Sequence, residues 1–313
     1  MKRLLKRLQE IRNNTRRMLT MNQRNLHYIY PYNHRRYFPI ADNKLLTKEV
    51  LQDAAVAVPD TLLTYDAFYA LRTLEEELCA YSDFVIKPAR GSGGGGIVII
   101  TRKTGDTWYS AGGTAYNVDK IKRHITDIIF GVYSFGLSDV AIIEQRIDQH
   151  PFMCELSPLG LADVRLIVHK HEPVLCMCRI PTQASDGKAN LHQGALGIGI
   201  DIDSGLTSHA ILNDKQVTHH PDTGIELIGN TIPYWDRVIA MSRAAAEHVP
   251  LKYLGIDIAI GTETPLLLEI NVRPGLQIQN ANQIGMRPGL EALRYQTGQT
   301  NSQANSWKPD HEA

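Results

Sequence analysis

The chain has 313 residues, of which 43% are hydrophobic, and its 33 basic and 33 acidic residues give a formal net charge of +0. This is the composition of an ordinary globular protein, and the length predicts a substantial core in about two lobes. No apolar run approaches the roughly 20 residues that cross a bilayer, and the N-terminus lacks the apolar stretch of a secretory signal. The four cysteines form no CxxC pair and no zinc spacing, so we expect a cytoplasmic protein.

The first 24 residues form a basic segment, because they contain eight Lys or Arg and one acidic residue. Apolar residues recur among these charges at helical spacing and predict a basic amphipathic helix; they are Leu4, Leu8, Ile11 and Met18. An arm at residues 25–38 then interleaves aromatic rings with His34, Arg35 and Arg36. The helix and arm either pack on the body of the protein or bind an acidic membrane surface, nucleic acid or another acidic partner. An Arg-rich, acid-poor N-terminus is also typical of an organelle transit peptide.

Two helices and a glycine-rich hairpin are predicted next. The first helix contains Lys44 and has three candidate capping residues; these are Asp42, Asn43 and Thr47. The second helix is predicted at residues 65–81. A strand at residues 84–87 then enters a loop with five glycines at residues 91–96, and a β-branched strand leaves it at residues 97–101.

The glycine loop differs from the common phosphate-binding motifs, because a Walker loop and a dinucleotide fingerprint both lead into a helix. A strand, a glycine loop and a second strand indicate a hairpin flap. Its backbone amides are able to close over phosphates, with Lys87 at the base as a cation. The alternative is a flexible surface hairpin.

A second hairpin carries charged residues of both signs. Residues 140–150 indicate a strand and a change of direction, and residues 164–180 indicate two strands around a turn. A turn centred on His171 places Asp163 opposite Arg179, with Arg165 on the same face. The arginines would stabilise a phosphoryl or acyl oxyanion, or would form structural salt bridges. A strand near Ala195 and a helix at residues 232–249 follow.

A third hairpin carries two carboxylates in apolar runs. A turn centred near Glu263 pairs Asp257 with Glu269, and Asn271 lies on the same face, two residues further along the strand. Like charges held about 5 Å apart in an apolar setting are costly, and a hard divalent cation such as Mg²⁺ removes that cost. The alternative is a hairpin whose polar residues face solvent.

Together these motifs resemble the ATP-grasp superfamily, and most closely its RimK-type alpha-L-glutamate ligases. The motifs are, in order, Lys44, VIKPARGSGGGG, IIEQRI, ADVRLIV, NLHQGA, GIDI and LLLEINVRPG. The resemblance covers about residues 42–298 and implies an α+β fold of two lobes that hold ATP between their sheets. It implies four parts: the basic helix and arm at 1–41, an N-terminal lobe with the flap at 42–140, a C-terminal lobe with the metal site at 141–298, and a polar tail at 299–313.

The resemblance also implies a role for each matching position. The ATP-contacting residues match Lys44, Lys87, Gly91, Ser92, Gly93, Gly94, Gly95, Glu144, Gln145, Arg146, Ile147 and Asp163. Within this set Glu144 to Ile147 match the adenine hinge and Asp163 matches the ribose-binding acid. The residues around the γ-phosphate and the acyl acceptor match Arg165, Arg179 and Asn190. The ligands of two Mg²⁺ or Mn²⁺ ions match Asp257, Glu269 and Asn271.

The implied activity is an ADP-forming carboxylate–amine ligase that works through an acyl phosphate and adds glutamate or another amino acid to a peptide, protein or small molecule. One alternative is a kinase on the same fold, and another is a nucleotide-binding module with an RNA- or membrane-binding arm. Fewer than fifty residues precede Lys44, where the family has a complete α/β domain. The acceptor site is therefore expected to use the arm, a second copy of the chain or another protein.

Overall fold

The computed structural model of the chain describes residues 14–91 and 93–296. One antiparallel sheet has six strands in the order β1-β6-β2-β3-β4-β5. These strands are β1 (Thr61–Tyr65), β2 (Phe84–Pro88), β3 (Val98–Thr104), β4 (Thr107–Ser110), β5 (Ala115–Tyr116) and β6 (Ala141–Glu144). The predicted strand–loop–strand arrangement around the glycine loop is thus confirmed as β2 and β3, which pair directly.

The second sheet is also antiparallel and has seven strands in the order β11-β10-β9-β8-β7-β12-β13. They are β7 (Asp163–His169), β8 (Glu172–Ile180), β9 (Leu196–Ile200), β10 (Thr207–Leu212), β11 (Lys215–Val217), β12 (Tyr253–Ile260) and β13 (Pro265–Asn271). The adjacent strands β7, β12 and β13, of which β13 is the edge strand, carry Asp163, Arg165 and the predicted metal ligands, so their register decides which of these side chains meet.

Most of the helices are short. The α-helices are Met21–Arg24, Tyr30–Tyr32, Phe38–Asp42, Lys44–Leu51, Leu74–Leu78, Val118–Ile129, Pro151–Leu156, Trp235–His248, Ile278–Asn282 and Arg287–Gln296. A π-helical turn spans Asn25–Ile29, and 3₁₀ turns span Arg35–Tyr37, Phe68–Arg72 and Leu191–Gln193. With two antiparallel sheets and these helices, the fold is α+β, as predicted.

Each sheet has its own apolar core. Helix Val118–Ile129 buries Ile121, Ile125 and Ile128 against the first sheet, and their spacing of four and three residues is that of one helix face. Helix Trp235–His248 packs on the second sheet, where Val238 and Ala245 are fully buried. The separate cores explain how the two sheets remain distinct lobes.

Of the two helices predicted before the glycine loop, one is present and the other is not. Helix Lys44–Leu51 is present, and the Asn43 side chain accepts hydrogen bonds from the backbone N–H groups of Leu45 and Leu46 at 2.9 and 3.4 Å. The helix predicted at residues 65–81 is wrong. Residue 65 ends strand β1, and only Leu74–Leu78 is α-helical, after the 3₁₀ turn Phe68–Arg72.

Residues 14–42, which we call the N-terminal arm from here on, pack on the second lobe. The predicted basic helix falls largely on residues 1–13, which lie outside the described residues, and so does the polar tail predicted at residues 299–313. Residues 21–42 form short helical turns, and Tyr28 and Ile29 are buried in the core of the second sheet.

Strand β6 follows the lobe boundary expected at residues 140/141. It pairs with β1 and β2 and therefore belongs to the first sheet. Within the described residues, no helix is long and apolar enough to span a membrane.

Candidate functional site

The carboxylate hairpin has the predicted register. β12 pairs with β13 so that Asp257 lies opposite Glu269, and the turn is closed by the hydrogen bond from the Gly261 N–H to the Thr264 carbonyl, at 3.1 Å. Asn271 Nδ2 lies 3.3 Å from Asp257 Oδ2 and 3.3 Å from Glu269 Oε1. The three side chains therefore converge on one spot, and the solvent-facing alternative does not hold for them.

The second hairpin brings its arginines to the same spot. β7 pairs with β8 so that Asp163 lies opposite Arg179, and with β12 so that Arg165 lies opposite Asp257. Arg165 donates to both oxygens of Asp257 at 2.7 and 2.5 Å. Arg179 donates to both oxygens of Asp163 at 2.6 and 2.7 Å and to Asp257 Oδ2 at 2.7 Å. Such paired charge-assisted bonds fix both the side-chain positions and their charge states.

Burial and charge set the ionisation of these acids. Burial alone would raise the pKa of Asp257, but Arg165 and Arg179 outweigh it and hold that pKa well below its usual range. Burial raises the pKa of Asp163, and Arg179 opposes this shift. Glu269 retains 32% side-chain exposure and lies 3.9 Å from Arg165, so it is the accessible carboxylate of the group.

Three lysines and a buried glutamate form the other side of the site. Lys87 forms an ion pair with Glu144, and Lys48 Nζ lies 2.9 Å from Glu144 Oε2. Lys44 Nζ donates to the Gly91 carbonyl at 2.9 Å and lies 3.8 Å from Glu269. Burial lowers the pKa of Lys44, while Glu269 opposes this shift. Lys44 thus links the base of the flap to the accessible carboxylate.

The glycine flap connects β2 and β3 and contacts residues of both lobes. Gly93, Gly94 and Gly96 have φ of +63°, +78° and +75°, which L side chains rarely adopt, so glycine is required there. A Cβ on Gly93 would lie 3.7 Å from Asn190 Nδ2, and one on Gly94 would lie 3.5 Å from Lys188 Cδ. The flap therefore reaches the loop of the second lobe that carries Asn190. Ser92 lies outside the described residues.

The base of the flap is held by side chains of the first lobe. His124 Nε2 lies 2.9 Å from the Gly96 carbonyl, and the Tyr133 ring packs against Gly96. Desolvation lowers the pKa of His124. These contacts fix the end of the flap that leads into β3.

Apart from Glu144, the predicted hinge at residues 144–147 lies beside the lysine cluster and forms no hydrogen bond or ion pair with its side chains. Gln145 donates its backbone N–H to the Asp60 carbonyl at 2.9 Å, and the Arg146 side chain pairs with Asp148 at 2.6 Å. Glu144 is the one hinge side chain that joins the lysines. Lys48 and Lys188 also lie at the site and are not among the residues predicted from the sequence. Lys48 lies four residues after Lys44 on the same helix face, so its spacing was an available signal.

The N-terminal arm braces the hairpin strands. Asn33 Oδ1 accepts from the backbone N–H groups of Lys252 and Tyr253 at 2.9 and 3.0 Å, and Asn33 Nδ2 donates to the Tyr253 carbonyl at 2.6 Å. Buried Arg24 donates to the Pro274 carbonyl at 2.7 Å. The arm thus contacts the start of β12 and the loop after Asn271, on either side of the converging residues.

Two carboxylates and an amide are the ligand types that a hard divalent cation takes, but among the described residues they are not arranged as a formed cation site. Asn271 turns its nitrogen toward both carboxylates, which directs its amide oxygen elsewhere, and Glu269 is accessible. The Asp257 oxygens are already engaged by the arginines. In residues 14–91 and 93–296 there is no group of three or more His, Cys, Asp or Glu placed to hold an ion. Magnesium commonly takes one or two carboxylates together with substrate phosphates and water.

One protein family and several solved structures are similar to this chain. The model of a family described as sugar-transfer associated ATP-grasp matches residues 23–294. A structure of the ATP-grasp ligase PsnB with minimal precursor, Mg and ADP is 18% identical, with a TM-score of 0.46; the match covers 86% of this chain and 62% of that chain. A D-alanine–D-alanine ligase from Bacillus anthracis complexed with ATP is 14% identical, with a TM-score of 0.44; the match covers 83% of this chain and 69% of that chain. The chain spans less than two thirds of the PsnB chain. No curated protein matches.

Proposed function

Because the chain belongs to the sugar-transfer associated ATP-grasp family, we propose that it is an ATP-dependent, ADP-forming ligase that joins a carboxylate to an amine. The observation that carries this proposal is the convergence of Lys44, Glu269 and Asn271 beside the glycine flap. A phosphate chain requires cations and backbone amides, and this corner of the site supplies both. The resemblance to RimK-type enzymes extends the proposal to an amino acid as the amine and to a peptide, protein or small molecule as the carboxylate.

The chain's own groups have distinct roles in this proposal. Lys44 and Lys87 bind the phosphates of ATP, and the backbone of residues 144–147 binds adenine. Glu269 and Asn271 would hold Mg²⁺ (or Mn²⁺), which neutralises phosphate charge when bound. Asp257 is held in place by Arg165 and Arg179. Closure of the flap excludes water from the reaction.

The reaction has two balanced steps. The substrate carboxylate attacks the γ-phosphorus of ATP, which yields an acyl phosphate and ADP. The amine then attacks the acyl carbon, loses a proton and displaces inorganic phosphate, which leaves an amide. We assign Arg165 to the developing oxyanion because it is the arginine near the accessible Glu269.

The test is ADP release by the purified chain with Mg²⁺ and ATP, screened against pooled amino acids, peptides and small carboxylates. Release is expected to require both a carboxylate and an amine, and hydroxylamine in place of the amine should give a hydroxamate. The Glu269→Ala variant should lose at least about a hundredfold in rate, because it removes a charged group that would act directly on ATP.

A matched control lies on the same hairpin. Glu263 is exposed at the turn between β12 and β13, so Glu263→Ala should keep the wild-type rate. Equal rates for the Glu269→Ala and wild-type chains would refute the metal assignment. ADP release with a carboxylate alone and a stable phosphorylated product would identify the kinase alternative instead.

A further inference from the structure

A turn on the first lobe exposes four large apolar side chains. It spans residues 130–138, between helix Val118–Ile129 and β6, and we call it the apolar turn. Phe130, Val132, Phe135 and Leu137 are 68%, 64%, 93% and 62% exposed. Isolated apolar residues on a surface are ordinary, but four within eight residues form a patch of the kind that marks an interaction site.

Hydrogen bonds inside the apolar turn hold its side chains outward. The buried Ser134 hydroxyl donates to Asp139, which also accepts from the backbone N–H groups of Arg90 at 3.1 Å and Val140 at 2.8 Å. The N–H groups of Ser134 and Gly136 both donate to the Gly131 carbonyl at 3.0 Å. The backbone and polar side chains fill the inside of the turn, so the four apolar side chains point to solvent.

A cationic cavity adjoins the apolar turn. It has a volume of about 380 Å³ and is lined by Phe68, Leu71, Arg72, Lys122, Arg123 and Thr126. Its surface is apolar apart from these three cations, and no acidic residue lines it. The backbone N–H of Phe130 donates to the Thr126 carbonyl at 3.0 Å, so Phe130 continues the helix from the cavity into the apolar turn.

We propose that the apolar turn and the cationic cavity dock the protein on an anionic lipid bilayer. The apolar turn would enter the acyl boundary, and Arg72, Lys122 and Arg123 would meet the headgroup phosphates. Apolar insertion and attraction of cations to anionic lipids are the two contributions that hold a protein on a membrane surface, and here they adjoin. This inference does not rest on the proposed ligase activity.

The docking surface lies next to the glycine flap. The Ala89 backbone N–H donates to the Val140 carbonyl at 2.9 Å, and Tyr133 of the apolar turn packs against Gly96. A docked protein therefore holds its flap close to the membrane.

The test is co-sedimentation of the full chain with vesicles of phosphatidylcholine, alone or mixed with phosphatidylglycerol. Binding is expected only to the mixed vesicles, and it should weaken as salt is raised. The double variant Phe135→Ser and Leu137→Ser should lower the partition coefficient by about tenfold or more, because two large apolar side chains are lost. Arg123→Gln should lower it by about fivefold and reduce the salt dependence.

A matched control is Ile284→Ser, since Ile284 is also exposed but lies on the second lobe. This variant should bind vesicles like wild type, and circular dichroism should show that all variants are folded. Two results would overturn the proposal: no binding of wild type to mixed vesicles, or full binding by the Phe135→Ser, Leu137→Ser variant. A wild-type dimer in sedimentation that the double variant converts to a monomer, without vesicle binding, would assign the surface to a second copy of the chain.

Discussion

At the scale of single residues, the two carboxylates of the carboxylate hairpin have different environments. Asp257 is almost fully buried and accepts hydrogen bonds from Arg165, Arg179 and Asn271. Glu269 is partly exposed and near Lys44. A buried charge that loses its partner is costly, whereas an accessible one is hydrated. Asp257 therefore stabilises the fold as well as the site, while Glu269 acts on whatever binds there.

Replacement of Asp257 by Asn should destabilise the protein. Arg165 would lose its principal charge partner in a buried setting, which typically costs about 3 kcal/mol or more. Urea denaturation followed by circular dichroism measures this loss, and Glu269→Gln serves as the comparison because its side chain is partly exposed. Equal unfolding free energies for Asp257→Asn and wild type would contradict the structural role of this charge.

At the scale of elements, the sequence predicted those pairings that depend on local information. In each of the two charged hairpins the predicted residue pair is present at the site, although a register shift lies between that pair and the turn. Strand β1 pairs with β6, about eighty residues away, and a single sequence does not reveal this partner. The incorrect helix at residues 65–81 and the missed Lys188 share this cause, because both depend on distant contacts.

The flap offers a prediction at this scale. Gly96→Ala should destabilise the protein because φ is +75° and the new Cβ would overlap the Tyr133 ring. Gly113→Ala is the matched control, since its φ is +78° and no atom lies within 4 Å of a Cβ there. Both variants should lose about 1 kcal/mol from backbone strain, and Gly96→Ala about 1–3 kcal/mol more from overpacking. Thermal denaturation measures the difference, and equal losses would show that Tyr133 does not clamp the flap.

At the scale of the whole molecule, the N-terminal arm is part of the second lobe. Its docking partners lie between about 140 and 260 residues away, and no local pattern marks them. Leu19 and Gln279 exchange two hydrogen bonds, at 2.8 and 3.0 Å. Tyr28 lies against the rings of His169 and Tyr253, at centroid distances of 5.4 and 5.8 Å. The arm therefore stabilises the strand that carries Asp257.

Asn33→Ala should show this stabilisation directly. It removes three hydrogen bonds to Lys252 and Tyr253 and leaves their backbone groups buried without these partners, which typically costs about 1–3 kcal/mol for each such group. The exposed Asn22→Ala on the same arm should be close to neutral. Chemical denaturation of both variants measures the effect. Similar midpoints for the two would mean that the arm is not coupled to β12.

The hydrogen bond from Arg24 to the Pro274 carbonyl also limits when the N-terminal arm can finish docking during synthesis. Its two residues are 250 positions apart, so Arg24 leaves the ribosome long before Pro274 exists. Until the strands of the second sheet have emerged, the apolar side of the arm has no complete surface to cover, and Tyr28 and Ile29 are open to chaperones and to other nascent chains. The first lobe can fold as it emerges, but the loop after the carboxylate hairpin is braced only once translation has passed its last strand.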